Sequence, residues 1–87
     1  MNQAIVNAVN EHIVEEKLYM VEKGWNATKN MLKAPCYNPD WLAAQCEVLY
    51  DMIISLNGET EEQVQRIKNI QREIERISEE KTDYPVR

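Results

Sequence analysis

Between Asn2 and Lys33 the apolar positions recur at helical spacing, with Val14, Leu18, Val21, Trp25 and Leu32 separated by four, three, four and seven residues. Val6, Val9, Ile13 and Met20 form a neighbouring stripe, so the pattern predicts one helix with a broad apolar face. Gly24 interrupts it at a cost of about 1 kcal/mol relative to alanine, yet Val21 and Trp25 stay in phase across the interruption. Unbroken, such a helix runs to roughly 45 Å at ~1.5 Å per residue. That exceeds any later element, and part of its apolar face would find no cover in the same chain. Either the helix breaks near Gly24, with Asn26 capping a fourth helix, or a second subunit covers the excess.

The stretch LKAPCYNPDWLAAQC, residues 32–46, reads as a bend followed by a helix start. Pro35 excludes helical geometry at Ala34. Asn38 is a good N-cap, Pro39 suits the first helical position, and Asp40 favours the positive end of the helix dipole. The second helix, Pro39 to about Leu56, carries one apolar stripe of Leu42, Cys46, Leu49, Ile53 and Leu56 and another of Trp41, Val48 and Met52. Two such stripes predict burial on two sides, with Asp40, Ala43, Glu47 and Asp51 on the remaining face. Asn57 and Gly58 suggest a left-handed C-cap, and Thr60 to Gln63, T-E-E-Q, a capping box.

The last helix, about Glu61 to Glu80, sets Ile67, Ile70, Ile74 and Ile77 in a coiled-coil-like pattern over two heptads, with Val64 beside them. These four isoleucines are the candidate self-association face. Glu62 with Arg66 and Arg76 with Glu80 have the spacing of i,i+4 ion pairs. The expected fold is all-α: a three-helix up-down bundle, four if the first helix breaks, completed by dimerisation. Residues 1–80 form its single domain, and residues 81–87 a frayed tail.

Length sharpens the expectation of association. A chain of 87 residues buries only about 60–65% of its unfolded surface, so a homodimer or another partner would help stabilise it. Charge narrows the partner. The net charge of −5 is uneven: residues 34–58 hold three acids and no base, and residues 59–87 hold eight acids against six bases. No segment offers the clustered lysines and arginines with which proteins displace counterions from phosphates, so nucleic acid is not the expected partner. The nearest rival is a helix-turn-helix-like DNA-binding regulator using the 61–80 helix, which carries Arg66, Lys68, Asn69, Arg72 and Arg76 among glutamates.

Candidate chemistry changes little. Cys36 and Cys46 are ten residues apart, and one histidine does not complete a tetrahedral zinc set, so no metal and no other cofactor is expected. His12 with Glu15 and Glu16 lacks the facing helix motif of a di-iron bundle and reads as a solvated face. Glu59 and Glu62 share a spacing seen in magnesium-binding helices, but they stand at a helix start, where acids are expected. Ser55 and Ser78 have no nucleophile context, so the chain is not expected to be an enzyme. Without a basic leader or a long apolar run, a cytoplasmic location with no membrane contact is expected.

What remains is a small acidic protein-interaction module, a regulator or inhibitor of another protein of the kind that phages and other mobile elements encode. Its candidate interface is Tyr37 and Trp41 as aromatic anchors, with Asp40, Glu47 and Asp51 on one acidic face directed at a basic surface.

Overall fold

Local signals place three helices along the chain, and the computed structural model, which describes residues 3–34 and 36–86, has them as α1 (Gln3–Met31), α2 (Pro39–Ile54) and α3 (Glu61–Lys81). The role expected of Pro35 falls outside the described residues. α1 runs unbroken through Gly24, where an alanine-sized Cβ would stand 3.2 Å from Leu49 Cδ2. Glycine thus lets α2 pack close against α1. The helix ends by tightening, with Leu32, Lys33 and Ala34 N–H groups donating to the carbonyls of Lys29, Asn30 and Met31 at 3.1–3.2 Å.

Asn38 caps α2 as its sequence predicts: its Oδ1 accepts from the N–H of Asp40 at 2.8 Å and of Trp41 at 3.3 Å. At α3, Thr60 Oγ1 accepts from Gln63 N–H at 3.1 Å, while Gln63 Oε1 accepts from the Glu59 N–H at 3.0 Å. The amide of that buried glutamine then donates to the Glu11 carbonyl at 3.0 Å. One residue therefore caps α3 and ties it to α1.

The helices pack up, down and up. Gln63 with Glu11 and Glu73 with Lys29 put α3 parallel to α1, and Gly24 against Leu49 is the antiparallel crossing of α1 and α2. Val14, Leu18, Val21 and Trp25 of α1, Leu42, Cys46, Leu49 and Ile53 of α2, and Ile67, Ile70, Ile74 and Ile77 of α3 make one core. Burial pushes the Cys46 thiol up to about 11, so it stays protonated and behaves as a small apolar side chain.

One expectation about coverage changes. α2 is buried on one side, not two: Val48 and Met52 of its second stripe are exposed. α1, as expected from its length, buries only its first stripe and leaves Val9, Ile13 and Met20 exposed. Three helices around one core give each helix two neighbours on one side, and a second apolar stripe finds nothing among the described residues to cover it. The loop after α2 also differs, since no described residue has a positive φ and Ser55 closes α2 in right-handed geometry. Gly58 is needed for proximity instead: a Cβ there would lie 2.8 Å from the Val64 nitrogen and 3.1 Å from its Cα.

After α3 the chain turns back. Thr82 Oγ1 donates to the Ser78 carbonyl at 2.6 Å, and the N–H groups of Tyr84 and Val86 donate to Thr82 Oγ1 and Ser78 Oγ at 3.1 and 3.2 Å. Val86 then packs against the core, while Tyr84 stays exposed beside α2.

Candidate functional site

Asp40, Glu47 and Asp51 are separated by seven and four residues, which at about 3.6 residues per turn puts them on one ridge of α2. All three are exposed. Glu47 and Asp51 form one wall of a groove of about 270 Å³, which Tyr50, Tyr84, Pro85 and Val86 complete. The Tyr50 hydroxyl donates to Glu75 Oε2 at 2.8 Å and fixes that wall to α3. Two carboxylates, two phenol rings and a proline thus meet where α2 and the tail run side by side.

Tyr84 is expected from the sequence to pack back from the tail but not to belong to the site. It lies 33 positions from Asp51 in the chain, and only the hydrogen bonds pinning residues 82–86 bring it to the acids. The run T-D-Y-P carries a local signal, because a threonine two residues before an N–H is a standard turn-forming acceptor.

Tyr37 and Trp41 are half-buried and pack against the chain's own core, so each is only partly accessible. They lie apart from the acidic groove. The four isoleucines expected to mediate self-association face inward: Ile67, Ile70, Ile74 and Ile77 are at most 8% exposed within the single chain. Their stripe meets α1 and α2, the nearest apolar surfaces available to it.

The basic side chains of α3 divide between two sides. Arg66 turns toward α1, where its Nη1 donates to Glu15 Oε1 at 2.8 Å and its Nε to Glu22 Oε2 at 3.2 Å. Its Nη2 bonds to the other Glu22 oxygen, and Glu62 stands 3.5 Å away. Hydrogen bonds donated to Glu22 and then Glu15 raise the guanidinium further above its ordinary range, and the Arg66 bond in turn holds the Glu15 carboxyl below its usual value. At Glu73, burial works to raise the carboxyl, but Lys29 at 2.7 Å and the Trp25 indole outweigh it and the net shift is downward. Arg76 pairs with Glu80 at 3.2 Å, and Lys68 and Arg72 share their surface with Glu75.

Both lowered carboxyls, Glu15 and Glu73, have an ordinary value of 4.5. The stability they lend is complete at pH values above that and is lost as the pH falls through their lower folded values. Thermal melts should therefore hold steady from neutral pH to about pH 5 and decline below about pH 4.5. Arg66→Met should cost about 1–2 kcal/mol at neutral pH, as expected for a partly exposed network, and should flatten the decline in acid. An unchanged acid limb in that variant would show that the Arg66 network does not contribute to it.

Elsewhere the ionisable side chains are dispersed. His12 Nε2 sits 3.1 Å from Glu16 Oε1 on the solvated outside of α1, and Cys36 is exposed while Cys46 is in the core. Among the described residues, no three histidine, cysteine, aspartate or glutamate side chains converge to hold a metal ion. None of the described helices is long and apolar enough to cross a membrane. No protein-family model, no curated protein and no solved structure matches the chain.

Proposed function

We infer that this chain is a non-enzymatic protein-interaction module, a small regulator or inhibitor that binds another protein through the acidic ridge of α2. The observation that carries the reading is the groove in which Glu47 and Asp51 face Tyr84 beside Tyr50. Carboxylates beside the Tyr50 ring on one wall and the Tyr84 ring on the other suit the head of a lysine or arginine from a partner. The acids supply charge, and a ring face adds about 0.5–2 kcal/mol of cation–π attraction. Asp40 extends the negative edge toward Tyr37 and Trp41, where a larger partner would also touch aromatic surface. The field of the ridge would steer a basic partner during encounter.

The test is tagged capture from the native cell by the wild-type chain and by a Glu47→Gln/Asp51→Asn/Tyr84→Ala variant, after matching their melting curves. A stoichiometric foreign protein held by the first and lost by the second supports the reading. Equal capture by both, or none by the wild type, sinks it.

A further inference from the structure

We propose that a second copy of this chain seats on the face shared by α1 and α2, with the two α1 helices antiparallel about a two-fold axis near Met20. The face is fixed by what lies on either side of it. Glu15, Glu22 and Lys29 of α1 and Tyr50 of α2 point to α3. Gly24 of α1 meets Leu49 of α2, and Ile13 and Lys17 line a hollow with Ser55 and Leu56. Helical geometry then turns Ile13, Met20 and Met31 of α1 and Val48 and Met52 of α2 to the side opposite α3, next to one another.

The area matches what a dimer needs. Val9, Ile13, Met20 and Met31 are 53, 43, 63 and 55% exposed, and Val48 and Met52 are 56 and 38% exposed. These six side chains offer on the order of 600 Å² of apolar surface, at the upper limit of what a monomer ordinarily leaves bare and close to the ~800 Å² per partner of a standard interface. A chain this small gains most from covering it.

Sequence spacing sets the register. Val6, Ile13, Met20 and Ala27 recur every seven residues, the repeat that keeps one seam of a helix against a partner. About an axis at Met20, Ile13 meets the partner's Ala27 and Val9 meets the partner's Met31. Glu16 and Lys23 both lie on the outer edge of the seam, four residues before and three after Met20, so each glutamate faces the other copy's lysine within one residue. Lys17 lies on the inner edge, beside Asn57, away from that pair. The same register puts the amino-terminal turns of α1 to use. Residues 3–9 precede every link to α2 and α3 given above, and in the dimer they run from the partner's Met31 toward the start of its α2. The face lies on the far side of α2 from Tyr50 and Tyr84, so the groove remains open, and the dimer stands or falls independently of the partner reading.

Sedimentation equilibrium of the full chain over a range of concentrations tests this. The wild type should reach twice the 10.2 kDa chain mass. Met20→Glu, which brings two carboxylates together at the axis, should weaken association at least about tenfold, whereas Tyr19→Glu, outside the seam, should leave it unchanged. Glu16→Lys should weaken it, and Glu16→Lys/Lys23→Glu should restore it. A wild type that stays at the single-chain mass at every concentration overturns the proposal. So does a dimer indifferent to Met20→Glu while circular dichroism reports both variants folded.

Discussion

Replacing Trp25 with alanine is expected to cost about 3–5 kcal/mol, the range for emptying a buried aromatic site. Trp25 is 1% exposed and is the largest fully buried side chain of the core, touching the region where α1, α2 and α3 converge. A domain of this length has about 4–13 kcal/mol in total, at ~0.05–0.15 kcal/mol per residue. The alanine variant should therefore melt without a clear transition, or with a midpoint far below that of the wild type. Trp25→Phe separates volume from polarity. The indole N–H is buried without a hydrogen bond of normal geometry, so its replacement removes only the weaker pull on Glu73, and the smaller ring should cost about 1–2 kcal/mol, well below the alanine variant. Urea titrations at one fixed protein concentration measure both, and equal losses for the two variants would contradict the assignment of Trp25 to the core.

Gly58→Ala should produce the next largest loss, about 1–3 kcal/mol. The added methyl would stand against the backbone of Val64, which cannot rotate away as a side chain can. Relief requires the first turn of α3 to move, and with it Gln63, whose side chain holds Glu59 on one side and Glu11 on the other. Asn57→Ala should change stability by less than about 0.5 kcal/mol. If Asn57 instead held a left-handed cap, the substitution of Asn57 would be the costly one, so melts of the two variants decide between the two accounts of this loop.

The same loop marks the boundary of what the sequence made legible. Helix positions were readable because their signals are local: Asn38-Pro39-Asp40 starts α2, T-E-E-Q starts α3, and the isoleucine spacing of α3 names its buried side. Gly58 was not, because its neighbour Val64 is met only after the chain has turned. Arg66 illustrates the limit again. Its spacing to Glu62 was visible, but its stronger partners Glu15 and Glu22 lie 51 and 44 residues away, and only the parallel packing of α1 and α3 brings them within reach. The acidic ridge was legible as a helical face, whereas its aromatic wall depends on the return of the tail.

The second apolar stripes of α1 and α2 carry a related lesson. Periodicity says which residues share a face, but not whether that face is covered. For α3 the stripe found α1 and α2; for Val48, Met52 and Met20 no further element remains among the described residues.

The central claim, that the groove between α2 and the tail receives a basic side chain, is tested most directly by a backbone amide NMR titration of the isotope-labelled chain with a short arginine-bearing peptide. The account predicts shift changes centred on Glu47, Asp51, Tyr84 and Val86 that weaken as salt is raised. Changes that spread along the outer side of α3, or that persist undiminished in the Glu47→Gln/Asp51→Asn chain, would contradict it.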